Sequence, residues 1–242
     1  MTMITYVTAF LHGKVAKRSI DDYKKHFDRL VETGIRIVLF LDHRSTWTFP
    51  ENVHVERVSL EETWAWKCIP QDADLPENRN SDTLEYLQIQ NTKSQWLVIA
   101  EHIDPFKTDW FAWIDFGIVH VFRDPDTTLA RIRDLTPPEV PCIEIAGIWG
   151  FLRRDLDNVN WRFAGGFLLV HRSCVNEFFA NCCNTIRTYL PKVTWEVNIW
   201  AIMEADGFKF RWFPADHDDR IIPVRQCTSG TDSPETVSPL PE

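Results

Sequence analysis

No two of the six cysteines form a Cys-x-x-Cys pair; they stand at Cys68, Cys142, Cys174, Cys182, Cys183 and Cys227. That spacing argues against the usual structural zinc frameworks. Cys182 and Cys183 fall inside a helical pattern and read as small core residues, and free thiols are expected throughout. No apolar run approaches the roughly 20 residues that span a bilayer. The opening stretch, Met1 to Thr5, lacks the charged and apolar regions of a secretory signal, so a soluble, cytoplasmic protein without a membrane span is expected. Lys and Arg form no cluster and the formal net charge is −9, which argues against a nucleic-acid partner. A phosphorylated small molecule stays open, because it needs only a few local cations or a metal. Gly-x-x-x-x-Gly-Lys-Ser/Thr is missing, and no Gly-x-Gly-x-x-Gly follows the first strand, which argues against a P-loop kinase and a dinucleotide dehydrogenase. The missing Gly-x-Ser-x-Gly argues against an α/β-hydrolase. There is no internal repeat and no linker.

What is present points to a packed α/β chain. At 44% hydrophobic, the 242 residues can bury a full core. The eleven tryptophans suit both a core and a site that stacks on sugar rings. Residues 110–114 are apolar without a break and run into Asp115, with Gly117 two positions later. A short apolar run bounded by turn signals fits a strand buried on both faces. Asp115 then falls at the carboxyl end of a strand, where open α/β sheets bind ligands. It reads either as a ligand-holding acid or as the cap of the next turn.

The rest of the chain supplies a sheet around that strand. Residues 3–10 predict a first strand, and His12 to Lys17 a loop turning at Gly13. Ser19 with Asp22 has the form of a helix start. Ile20, Tyr23, Phe27, Leu30 and Val31 follow at helical spacing, and Gly34 stops the helix. Ile35 to Leu41 is apolar apart from Arg36 and ends at Asp42. Strand, helix, strand at this spacing predicts a right-handed βαβ unit and a parallel sheet. Val53 to Val58 predicts a third strand, and the polar stretch 69–82 a surface loop bordering the site. Ser81 to Gln95 predicts a helix with Leu84, Leu87 and Thr92 inward. Ile118 to Phe122 reads as a strand or short turn, and 126–134 as a short helix. Cys142 to Trp149 and Trp161 to His171 predict two strands. Gly165 and Gly166 mark a bulge or a close backbone approach in the second. Ser173 is the expected cap of a helix with Val175, Phe178, Phe179, Cys182, Ile186 and Tyr189 inward, ended by Pro191. Another helix runs from Thr194, its expected N-cap, to Ala205 and stops at Gly207. Phe208, Phe210 and Trp212 alternate as a half-exposed strand. One domain over 1–225 is expected, with a disordered tail over 226–242.

Four groups of residues can carry chemistry. Asp115 can hold Mg²⁺ or Mn²⁺, hard cations that prefer oxygen and keep substrate phosphates. Glu196, beside Trp195 in the first turn of a helix, is either functional or a charge favoured by the helix dipole. His217, Asp218 and Asp219 combine imidazole and carboxylates, which suits a metal, a general base, or only a solvated turn. Gly165 and Gly166 would admit a ligand to the backbone.

Four segments occur in a telling order: Thr8-Ala9-Phe10, residues 113–118 (Trp-Ile-Asp-Phe-Gly-Ile), Ala164 to Phe167, and Trp195-Glu196. This order resembles the HtrL/YibB-type proteins, a group of glycosyltransferases of the GT-A architecture, over roughly residues 3–220. The resemblance implies a GT-A-like open, mostly parallel central sheet flanked by helices, with a Rossmann-like nucleotide-binding half. It also implies a hexosyl- or pentosyltransferase that takes a nucleotide-sugar donor and a carbohydrate or glycan acceptor. Such enzymes carry Asp-x-Asp at a central strand end; here Asp115 matches the second acid and Trp113 stands in place of the first. The resemblance makes Asp115 and His217 the metal ligands, for Mn²⁺ or Mg²⁺. It makes Thr8, Arg18, Lys93, Asp115, Gly165, Gly166 and Trp195 the nucleotide-sugar contacts, and Glu196 and Asp218 the catalytic carboxylates. Glycosyl transfer needs charge stabilised on a leaving diphosphate and a carboxylate acting as base or beside an oxocarbenium-like centre. Two other functions compete: a metal-dependent phosphohydrolase built on residues 217–219, and a non-catalytic carbohydrate-binding module of the same fold.

Overall fold

A computed structural model gives the architecture and describes residues 3–11, 18–80, 82–150 and 154–225. The expected loop at 12–17, Ser81 as a helix start, Cys227 and the tail from 226 lie outside the described residues. The strands are β1 (Ile4–Phe10), β2 (Arg36–Asp42), β3 (Val53–Val58), β4 (Trp110–Ile114), β5 (Ile143–Gly147), β6 (Phe163–His171) and β7 (Arg211–Pro214). They form one open sheet in the order β3-β2-β1-β4-β6-β5-β7, which sets β4 in the middle. Four of the six pairings are parallel; β6 runs antiparallel to both β4 and β5. The expected mostly parallel α/β sheet is therefore present. All five residues of β4 are buried, as an uninterrupted apolar run requires when helices cover both faces.

The helices are α1 (Ile20–Val31), α2 (Trp64–Cys68), α3 (Leu84–Asn91), α4 (Lys93–Ile103), α5 (Pro125–Arg133), α6 (Arg172–Tyr189) and α7 (Glu196–Ala205). On one face, Phe27 and Leu30 of α1 and Leu129 and Ile132 of α5 pack against Tyr6, Ile37 and Ile114. On the other, Trp96 of α4, Phe178 of α6 and Trp200 of α7 pack against Val7, Val38 and Trp113. Among the described residues, no helix is long and apolar enough to cross a membrane.

Several local expectations hold. Ser19 caps α1 by accepting from the Asp22 amide at 3.1 Å, and Gly34 sits at φ +78° just beyond its end. Cys182 and Cys183 are buried free thiols.

Others are corrected. Thr92 divides the expected 81–95 helix into α3 and α4, because its hydroxyl donates to the Gln88 carbonyl and its amide to the Ile89 carbonyl. Residues 118–121 form a 3₁₀ turn, which settles the choice between strand and turn. His171, not Ser173, caps α6, with its ring accepting from the Ser173 amide. Trp195, not Thr194, is the N-cap of α7; the Thr194 hydroxyl accepts instead from the Asn198 side chain at 2.8 Å. The last strand begins at Arg211, because Phe208 and Phe210 turn inward and pack against the core.

Candidate active site

The parallel strands β1 to β4 bring Phe10, Asp42, Val58 and Asp115 to one rim of the sheet. At that rim β4 hands over to Asp115, whose amide donates to the Gly166 carbonyl at 2.9 Å. Lys93, the first residue of α4, reaches the same point from the helical layer. Its Nζ lies 2.7 Å from Glu196 Oε1, 2.9 Å from the Gly165 carbonyl oxygen and 3.0 Å from Asp115 Oδ1. The Trp113 indole sits on the same side of β4 and donates to Asp115 Oδ1 at 2.7 Å. The Lys93 and Glu196 side chains are 3% and 7% exposed, whereas that of Asp115 is 39% exposed. Asp115 is thus the member of the group open to a ligand.

Charge explains why three ionised groups tolerate this burial. Desolvation alone would lower the Lys93 pKa, but the carboxylates of Asp115 and Glu196 more than offset it and raise it. Two carboxylates and one ammonium leave a net charge of −1. Tyr86 on α3 extends the group: burial, then the charges of Glu196, Asp115 and Asp82, push its phenol well above its ordinary value. Trp195 Nε1 donates to Asp82 Oδ2 at 2.8 Å, tying the 69–82 loop to the start of α7.

The glycine pair is a close approach, made by the chain's own side chains. A Cβ on Gly165 would stand 2.3 Å from Glu196 Oε1. A Cβ on Gly166 would stand 2.7 Å from Ile118 Cδ1 and 3.6 Å from Asp115 Oδ2. Glu196 can enter the sheet only because residue 165 has no side chain.

A cleft of about 680 Å³ opens at the ends of β1, β2 and β3, lined among others by Leu11, Asp42, Arg44, Ser59, Trp66 and Ile89. Asp42 is buried and held by Arg44 at 2.7 and 2.9 Å. Helix α3 joins the two places, since Ile89 lines the cleft and the Tyr86 phenol lies within the field of Glu196 and Asp115.

Other nominated residues lie elsewhere or do other work. Thr8 follows Val7, the partner of Trp113, and its buried hydroxyl makes no hydrogen bond. By strand alternation it faces the layer of Tyr6 and Phe10, away from Trp113. Arg18 is exposed, and its charge reaches His26 and His120, whose rings are 6.2 Å apart. His217 is exposed, with its ring 5.7 Å from that of Trp161. Asp218 is buried and holds Arg220 at 3.0 Å and Arg123 at 3.2 Å. The Arg220 hydrogen bonds hold its carboxyl below the ordinary range. Asp219 accepts from the amides of Arg123 and Asp124 and from the Thr128 hydroxyl.

The residues at Asp115 do not fit a protein-held divalent cation. Oδ1 already receives an indole and an ammonium, and only Oδ2 remains. Among the described residues, no group of three or more His, Cys, Asp or Glu is placed to hold an ion.

Sequence reasoning missed Asp42, Tyr86 and the role of the Trp113 indole. Asp42 carries the same signal as Asp115, an acid ending an apolar strand. Tyr86 and the indole give no local signal, because their contacts come from distant elements.

No family model matches the chain, and no curated protein matches it in sequence. It is similar to several solved structures. A glycosyltransferase involved in glycosylation of the major capsid of PBCV-1 is 12% identical, with a TM-score of 0.47 over 88% of this chain and 81% of that one. A 4-diphosphocytidyl-2C-methyl-D-erythritol synthase from Anaerococcus prevotii is 10% identical, with a TM-score of 0.40 over 89% and 90%. The glycosyltransferase GlyE of Streptococcus pneumoniae is 10% identical, with a TM-score of 0.40 over 88% of this chain and 45% of GlyE.

Proposed function

We propose that the chain is a glycosyltransferase of the GT-A type that takes a nucleotide sugar, in line with the HtrL/YibB-type resemblance of its four segments. One observation carries the reading. A partly open carboxylate, Asp115, stands at the end of the central strand, backed by buried Lys93 and Glu196, beside a cleft of about 680 Å³ at the ends of β1 to β3. The cleft has room for a nucleoside, with Asp42 and Arg44 as polar contacts and Trp66 as an apolar wall. The sugar then lies at Asp115, where Oδ2 accepts from its hydroxyls. The net negative charge of the Asp115–Lys93–Glu196 group favours positive charge developing at the anomeric carbon. Glu196 acts through this charge, and Asp218 is structural, holding Arg220 and Arg123. The acceptor is a carbohydrate or glycan, and transfer is of a hexosyl or pentosyl unit.

The phosphohydrolase reading loses its acids, because Asp218 and Asp219 are engaged by arginines and backbone amides. The test is thermal stability with a panel of nucleoside diphosphates and nucleotide sugars. A ligand at about 100 times its dissociation constant adds roughly 2.7 kcal/mol. One nucleotide class should raise the melting temperature, and Asp115→Asn should remove the extra shift given by the sugar. Silence across the panel sinks the reading. A shift with bare sugars alone, without turnover, favours the binding module.

A further inference from the structure

Three oxygens from three separate elements surround one nitrogen. Asp115 Oδ1 comes from the end of β4, Glu196 Oε1 from the first turn of α7, and the Gly165 carbonyl from β6. Their distances to Lys93 Nζ, 3.0, 2.7 and 2.9 Å, describe a cation cage with an ammonium at its centre. Each part of the surroundings suits that occupant. Residue 165 lacks a side chain, so Glu196 can close the cage. The Trp113 ring lies 5.5 Å from Nζ and presents a face that attracts a cation. The indole nitrogen of the same ring donates to Asp115 Oδ1 and fixes it. Lys93 itself opens α4 directly after the Thr92 break, so its direction is set by that junction.

We propose that the Lys93 ammonium is a built-in substitute for a divalent ion, so that the site binds its donor without a metal. The inference takes its meaning from the donor-site reading above, although the cage exists independently of it. A covalently attached cation is always present at unit occupancy and cannot be chelated. It supplies one positive charge where an ion would supply two, which leaves the group at −1. The remaining charge on a donor diphosphate then falls to side chains at the rim.

The proposal makes two measurable claims. Wild-type protein titrated with Mn²⁺ alone, followed by calorimetry and by melting temperature, should show no binding that depends on Asp115. Lys93→Gln removes the positive charge from the cage and leaves two carboxylates and a carbonyl around a neutral amide. Hard divalent ions prefer such oxygens at about 2.1 Å, so Mn²⁺ should now bind and raise the melting temperature of this variant. Adding Asp115→Asn to it should abolish the response. Mn²⁺ binding by the wild type that disappears in Asp115→Asn overturns the proposal. So does a folded Lys93→Gln protein that is indifferent to Mn²⁺. If Lys93→Gln does not fold, wild-type affinity for UDP, GDP, ADP and CDP in EDTA and in Mn²⁺ decides. Equal affinity supports the built-in cation, and a loss of about tenfold or more on chelation, about 1.4 kcal/mol, overturns it. If no nucleotide binds in either condition, the donor reading fails, and the wild-type Mn²⁺ titration still decides the cage.

Discussion

Two acidic groups at the same end of the sheet have opposite fates. Asp115 and Glu196 share one ammonium, are drawn from two elements, and leave Asp115 Oδ2 open. Asp218 and Asp219 are adjacent in the chain, and their oxygens go to the Arg220 and Arg123 side chains, the Thr128 hydroxyl and three backbone amides. In sequence the second group is the more suggestive, with a histidine beside it. In space it is a corner that pins the 3₁₀ turn at 219–221 to the start of α5. What separates a site from a corner is unspent hydrogen-bonding capacity on a partly exposed acid, not the density of acids.

Substitutions can sharpen or break that contrast. The largest effect is expected for Lys93→Met, which leaves two carboxylates facing each other in a buried setting. Removing one partner of a buried ion pair costs about 3–5 kcal/mol. Chemical denaturation at neutral pH should show a loss of that size. A loss under 1 kcal/mol at neutral pH would mean that the group is solvated and contributes no more than a surface ion pair.

Asp218→Asn should cost about 1.5–3 kcal/mol, as charged hydrogen bonds do, and leave ligand-induced melting shifts intact. Its pH dependence has a definite sign. The folded carboxyl titrates below its unfolded value of about 3.9. The contribution is therefore complete above that pH and is lost as the pH falls through the folded value. The difference between wild type and variant should be flat above pH 5 and close in acid. A lost ligand shift with unchanged stability would return Asp218 to the chemistry.

The smallest change in stability is expected for Gly165→Ala, at about 1–3 kcal/mol from overpacking. The added methyl group displaces Glu196 from the cage, so donor affinity should fall more than stability does. Normal donor affinity in this variant would show that Glu196 need not close on Lys93.

The fold was legible because its signals are local. The unbroken run from Trp110 to Ile114 marked a doubly covered strand, and residues 19–34 carried a helix start, stripe and stop within one segment. The site was half legible. Asp115, Glu196, Lys93 and both glycines could be nominated, but their meeting depends on β6 inserting antiparallel beside β4, which no local pattern encodes. Tyr86 and Asp42 stayed hidden for different reasons. The first is an ordinary tyrosine until α3 is docked, and the second had the right signal at a strand not taken as central. The capping errors at Ser173 and Thr194 share a cause. Other partners, the His171 ring and the Asn198 side-chain amide, take the Ser173 and Thr194 hydroxyls.

Helix α7 is buried from Glu196 through Met203 without interruption. Asn198 spends its amide on the carbonyls of Asp155 and Asn158 and on Thr194, fastening the preceding loop to it. A helix with no wet face has no side on which to breathe, so its amides should be among the last to exchange with deuterium. The backbone that carries Glu196 should therefore stay in place as a substrate arrives. Any drift in which donor this scaffold accepts would then have to be written in the loops after β2 and β3, where the chain still faces water.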